Sequence, residues 1–181
     1  MDEKRRRFEA EVLPHLDAAY RFARWLSGSP SEAGDVAQEA ILRAFRSFET
    51  LRGSDARAWL LAIVRNCHAT AFRQAQRRAH VPLPEAHEDH DGEAMIATTP
   101  DPESLSIRED GQRTLTRLLS TLPEEQREAL VLKELENLSY RDIAAVTGVP
   151  IGTVMSRLAR ARAALKARAR EETVGGAHGL S

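Results

Sequence analysis

The stretch Leu122–Ala169, LPEEQREALVLKELENLSYRDIAAVTGVPIGTVMSRLARARAALKARA, decides the fold. Ser139 stands where a helix N-cap is expected, with Asp142 three residues later. At that spacing a hydroxyl and a carboxylate can reciprocally satisfy the backbone N–H groups left over at a helix start. A helix is therefore predicted from Tyr140, with Ile143, Ala144 and Val146 on its apolar face, and Gly148 ends it by supplying a left-handed turn. After Val149 and Pro150, Thr153 is expected to open a second helix. Its Val154, Leu158, Ala161 and Leu165 recur at helical spacing and face inward. Ser156, Arg157, Arg160, Arg162, Lys166, Arg168 and Arg170 take the other side, with no acidic residue between Thr153 and Arg170. A helix–turn–helix with that face suits the major groove, its arginines reaching phosphates and base edges.

An isolated arginine-rich helix is more often a solvated surface than a nucleic-acid ligand. Here a capped helix, a glycine turn and an uninterrupted positive face follow one another in the order that docking requires, which favours DNA.

Composition bounds the rest. A chain of 181 residues holds one medium domain or two small ones, and 42% hydrophobic content is ordinary for a globular protein. Aromatic residues are only 5%, and apolar residues recur at three and four rather than alternating, so an all-α fold is expected. The lone Cys67 excludes an intrachain disulfide and a cysteine-rich zinc site, and accords with a reducing cytoplasm. No long apolar run predicts a membrane span. The formal net charge of −1 hides an uneven distribution. Residues 1–79 carry fourteen Lys/Arg against ten Asp/Glu, residues 80–111 one against nine, and residues 112–181 eleven against eight. Two basic lobes thus flank an acidic connector.

In the first lobe the opening MDEKRRRFEAEV mixes charges and is expected to fray. Pro14 fits the first turn of a helix to about Ser27, with Leu16, Ala19, Tyr20, Ala23 and Leu26 as its stripe. Gly28-Ser29-Pro30 reads as a turn, and Ser31 as the cap of a helix that buries Val36, Ala40, Ile41 and Ala44. Phe45 and Phe48 extend that core. A third, long helix is predicted from about Ala56 to Arg78, packing through Trp59, Leu60, Ile63, Val64 and Ala71. On the second of these helices Asp35, Gln38, Glu39 and Leu42 fall at i, i+3, i+4 and i+7 and share one side, with carboxylates and an amide around an apolar centre. The bland alternative is a solvated acidic face.

Three groups of residues carry a resemblance to bacterial sigma factors, especially the small extracytoplasmic-function (group-four) kind. They are Leu122-Pro123 with the Leu138–Ala144 step and Gly152–Leu158 followed by Arg160-Ala161-Arg162; Asp35–Glu39 with Ile41–Phe45; and Ala58–Leu60 with Ile63–Asn66. The sequence departs from the family at Met155, where lysine is common. The resemblance implies two helical domains. Residues 1–79 correspond to sigma region 2, 80–104 to an acidic linker, 105–172 to sigma region 4, and 173–181 to a loose tail. It implies that Asp35, Gln38, Glu39 and Leu42 meet the β′ clamp helices of core RNA polymerase. It places Arg52, Arg57, Arg65 and Asn66 at the minus-ten region, the asparagine by hydrogen bonding an extruded base. Arg141, Thr153, Ser156, Arg157 and Arg160 are placed at the minus-thirty-five region. Trp59 is read as a packing residue. The implied partners are core polymerase through its β′ clamp helices and β flap, promoter DNA and an anti-sigma factor, in the cytoplasm, with no membrane insertion.

The linker reading rests on composition as well: from His80 to Glu103 there are four prolines, seven acids and no Lys or Arg. His87 and His90 lie among its acids, yet a flexible segment without thiolates is a poor metal site, and no metal or cofactor is expected. No nucleophile–base set or phosphate loop argues for an enzyme. Two other functions fit parts of the sequence. A helix–turn–helix regulator acting without polymerase leaves the Asp35–Leu42 face idle. A sigma mimic that sequesters an anti-sigma factor needs a receiver domain for which the chain has no room.

Overall fold

Local chemistry sets the helix boundaries. The computed structural model describes residues 2–51, 55–79, 115 and 117–176. The chain divides into two units, Met1–Pro100 and Asp101–Ser181. In the first unit α1 covers Asp2–Glu11, α2 Leu16–Ser27, α3 Pro30–Ser47 and α4 Ala56–Ala79. Short 3-10 turns at Leu13–His15 and Phe48–Thr50 complete it. In the second unit residues 117–120 are helical, followed by α5 at Glu124–Glu134, α6 at Tyr140–Thr147 and α7 at Ile151–Gly176. Among the described residues there is no strand, and the fold is all-α.

The opening segment is a helix rather than a frayed end. Phe8 is buried and meets Phe45 and Phe48 edge-on, with ring centroids 5.2 and 5.5 Å apart. Arg5 pairs with Glu9 and Arg7 with Glu11 along the exposed side. In α2 the buried stripe is Ala18, Ala19, Phe22, Ala23 and Leu26, while Leu16 and Tyr20 lie outside. The observed stripe is rotated by part of a turn from the expected one, because both sets recur at three and four and Phe22, with no hydroxyl to satisfy, takes the core position in place of Tyr20. Gly28 ends α2 at φ 74°, and the Ser29 hydroxyl, not that of Ser31, caps α3 by accepting from Glu32 N–H. Pro30 explains the shift, since proline fits the first helical position and leaves its predecessor as the cap.

Helix α3 buries Ala33, Val36, Ala37, Ala40 and Ala44, an alanine-rich face that lets α2 and α4 approach closely. From α4, Ala58, Leu60, Leu61, Val64 and Cys67 enter the core, whereas Trp59 and Ile63 are half-buried and Ala71 is exposed. Burial pushes the Cys67 thiol above its ordinary pKa, and the nearby Arg43 only partly opposes this.

In the second unit α7 packs on α5 and α6 through Val154, Leu158 and Ala161. Helix α5 contributes Leu130, Val131 and Leu132, with Leu135 only half-buried. Pro123 is the N-cap of α5. Ser139 caps α6, accepting from Asp142 N–H at 3.1 Å. The reciprocal half of the expected box differs, because the hydroxyl also donates to the Asp142 carboxylate itself. Gly148 closes α6 at φ 70° with its N–H on Ala144 C=O at 2.9 Å. Helix α7 opens at Ile151, two residues before the expected start, because Pro150 C=O accepts from both Thr153 and Val154 N–H. It continues through Gly176, into the segment expected to be a loose tail. The expected linker, 80–104, lies outside the described residues.

Ser139→Ala removes one cap without touching the core and is expected to cost about 1 kcal/mol. Thermal unfolding of the full chain would record it as a shift confined to the second transition, or a small loss in a single one.

Candidate nucleic-acid interface

Helix α3 turns Ala33, Val36, Ala37, Ala40 and Ala44 inward, so its opposite side is open to solvent. Asp35 and Gln38 are exposed there, flanking Leu42, which is 48% exposed although it is a large aliphatic side chain. Glu39 lies on the same side, half-buried, and accepts a hydrogen bond from Arg43 Nε at 2.6 Å. The four residues singled out by spacing are thus brought together. Glu39 is already paired within the helix, which leaves Asp35 and Gln38 as the open polar groups around Leu42.

Helix α4 carries no acidic side chain between Ala56 and Ala79. Asp55 starts it, its carboxylate accepting from Arg57 N–H at 2.9 Å. Arg57 and Arg65 are half-buried and Asn66 is exposed, while Arg52 lies outside the described residues. Arg73, Arg77 and Arg78 are exposed along the second half of the helix. Asn66 has its side chain in solvent, and its backbone C=O accepts from Thr70 Oγ1 at 2.8 Å. Asn66→Ala should therefore leave thermal stability unchanged. With the base contact that the resemblance implies for Asn66, it should lower promoter melting by roughly two- to tenfold, the range of one net hydrogen bond to an unpaired base. Fluorescence of a base analogue at the upstream bubble edge reads that directly, and unaltered opening would remove Asn66 from the contact.

The basic helix α7 divides its arginines differently from the expected pattern. Arg160 is exposed and lies on the outer side. Arg157, expected beside it, turns into the unit: its side chain is only 12% exposed, and its guanidinium bonds Glu125 of α5 at 2.8 Å. Its Nη1 is buried with no hydrogen-bond acceptor among the described residues. The reason is angular. Arg157 directly precedes Leu158 and lies three residues after Val154, at the edge of the buried stripe, whereas Arg160 is a further three residues round. Ser156 is half-buried and donates to Thr153 C=O at 2.9 Å, and Thr153 is half-buried beside Pro150. Arg141 is exposed on α6. Arg162 is held by Glu134 at 2.7 Å, while Lys166, Arg168 and Arg170 are exposed.

Sequence reasoning passed over Ile151 on this surface and marked Met155 only as a departure from the family, with no contact of its own. Ile151 and Met155 are 45% and 53% exposed at i and i+4, on the first two turns of α7. Spacing alone does not announce Ile151, which falls three residues before Val154 and seven before Leu158 and so continues their stripe; it stays in solvent because it opens the helix, whereas Met155 lies at the edge of the stripe. The second unit also holds an open apolar groove of about 320 Å³ lined by Leu115, Leu119, Leu130, Val131, Leu135 and Leu165, with Glu134 and Arg162 at its edge. Among the described residues no cluster of His, Cys, Asp and Glu could hold a metal ion, and His87 and His90 lie outside them. No helix of the described residues is long and apolar enough to cross a membrane.

Comparison with known proteins follows the same division of the chain. The family model for sigma-70 region 2 matches residues 12–78, and that for sigma-70, region 4 matches residues 112–165. The ECF RNA polymerase sigma factor SigE of Mycolicibacterium smegmatis is 36% identical over 155 residues, which cover 86% of this chain and 58% of the relative. The ECF RNA polymerase sigma factor EcfG of Rhodopseudomonas palustris is 34% identical over 158 residues, 87% of this chain and 82% of the relative. Among solved structures, the sigma factor RpoE in complex with the anti-sigma factor NepR from Bartonella quintana matches with a TM-score of 0.65. That match is 30% identical and covers 88% of this chain and 94% of that one.

Proposed function

Because this chain belongs to the extracytoplasmic-function group of the sigma-70 family, we propose that it is a dissociable promoter-specificity subunit of bacterial RNA polymerase, acting in the cytoplasm. It directs core polymerase to its promoters and helps open the DNA there. The carrying observation is the coexistence in one chain of two faces: the exposed Leu42 ringed by Asp35 and Gln38, and the outward-facing side of α7, acid-free from Ile151 to Arg170. A DNA-binding regulator needs only the second.

Residues 1–79 dock on the β′ clamp helices through Asp35, Gln38 and Leu42, with Glu39 held against Arg43 at the edge. They hold the minus-ten region with Arg52, Arg57, Arg65 and Asn66. Residues 80–104 tether residues 105–172, where Arg141, Ser156 and Arg160 meet the minus-thirty-five region and Thr153 stands at the helix start. The apolar groove beside α5 is the seat for the β flap. Polymerase supplies the bond-making chemistry, so the chain itself is an initiation factor and no enzyme. By likeness to the Bartonella quintana relative held by NepR, an anti-sigma factor is a further partner.

The test is assembly. Full chain mixed with core polymerase should co-elute as a one-to-one complex that retains promoter duplex, and the chain alone should not retain that duplex at physiological salt. Retention by the free chain together with no co-elution would favour a stand-alone regulator.

A further inference from the structure

Ile151 and Met155 are two large apolar side chains left in solvent on the first two turns of the helix assigned to the major groove. Every residue of α7 from Ile151 to Arg170 is neutral or basic, and Arg160, Lys166, Arg168 and Arg170 are exposed. The apolar pair thus opens a helix whose exposed charges up to Arg170 are all basic, a balance that suits a polyanion as its partner. Gly152 follows Ile151 on the same turn, and a Cβ built there meets nothing within 4 Å, so the helix surface beside the pair is open to close approach. Residues at the amino end of a docked helix are those that reach base edges.

Neither Ile nor Met has a strong donor or acceptor with which to read the polar pattern of a base pair. The apolar feature of the unmodified major groove is the C5-methyl group of thymine. We propose that Ile151 and Met155 read thymine methyl groups in the upstream promoter element, next to the position read by Arg160. This rests on the promoter-recognition reading above and adds to it a chemical class of base. Polar readout belongs to Arg160 and Ser156, and methyl readout to the side chains at 151 and 155.

The experiment uses holoenzyme assembled from core polymerase and the full chain. Duplexes randomised over the upstream element are selected by retention, and each thymine of the preferred sequence is then replaced by uracil, which deletes one methyl and leaves all hydrogen-bonding groups in place. Wild-type holoenzyme should lose roughly fourfold in affinity at one or two positions, the worth of one buried methyl-sized group. Holoenzyme carrying Met155→Ala, or Met155→Gln with similar length and a polar end, should bind less tightly and become indifferent to thymine or uracil at one of those positions. Ile151→Ala should do the same at a neighbouring one. Both positions are exposed, so unchanged thermal unfolding of the variants is expected and controls for folding. If wild type shows no methyl dependence anywhere, or if all variants retain it in full, the proposal is wrong and the apolar pair is left for a protein partner. If wild-type holoenzyme selects no upstream sequence at all, the promoter-recognition reading fails first, and the methyl assignment fails with it.

Discussion

Leu42→Asp is expected to weaken binding of the chain to core RNA polymerase by about a hundredfold, or some 2.7 kcal/mol. Leu42 is the apolar centre of the α3 face, 48% exposed in the free chain, with Asp35 and Gln38 around it. Energy in a protein interface concentrates in the few central groups that lose their water completely, while rim groups contribute less. A carboxylate at that centre must be desolvated without a partner, so the substitution removes an apolar contact and adds a burial penalty. Asp35→Ala combined with Gln38→Ala removes rim groups and should cost less, roughly tenfold or under, with a salt dependence that Leu42→Asp lacks. None of these side chains belongs to the core, so thermal unfolding should not move. Fluorescence competition for core polymerase measures the affinities, and an unchanged value for Leu42→Asp would take this face out of the interface.

Arg160→Ala and Arg157→Ala should fail in opposite ways. Arg160 is exposed on the outer side of α7 and can span guanine O6 and N7. Its loss should flatten preference among upstream promoter variants by about 1–3 kcal/mol, some five- to 150-fold, with no change in stability. Arg157 bonds Glu125 across the unit and packs its stem along the α5–α7 contact, so its removal should lower stability by about 1–3 kcal/mol. Promoter preference should survive wherever the variant remains folded. Glu125→Gln should reproduce a small part of the Arg157→Ala loss in stability and none of the Arg160→Ala phenotype. Retention on duplex variants combined with thermal unfolding separates these outcomes. A flattened preference with intact stability for Arg157→Ala would mean that its guanidinium leaves Glu125 to meet DNA.

Much of this was legible from local chemistry. Ser139 and Gly148 bound α6 because a cap hydroxyl and a left-handed glycine act within a few residues of themselves. The Asp35–Leu42 face followed from helical spacing alone, since the alanines and Val36 on the opposite side left no doubt about which way α3 faces. What escaped depended on distant partners or on small rotations. Helix α1 is held by Phe8 against Phe45 and Phe48, rings nearly forty residues away that its own charge-mixed text does not announce. Leu16 and Tyr20 share a three-and-four spacing with Ala19 and Ala23, so periodicity could not reject them until Phe22 took the core. Arg157 was grouped with Arg160 by residue type. Its inward turn is dictated by its place next to the Val154–Leu158 stripe and by Glu125, thirty-two residues earlier in the chain.

The central claim, that one chain both engages polymerase and chooses the promoter, is tested most directly by initiation in a defined system. Core RNA polymerase is given a linear template bearing a promoter selected by its holoenzyme with this chain, and transcripts are mapped to their start. A single defined start is predicted when the wild-type chain is present, with none from core alone and none with Leu42→Asp. An unchanged pattern of starts with and without the chain, on a template that the free chain binds sequence-specifically, would contradict it.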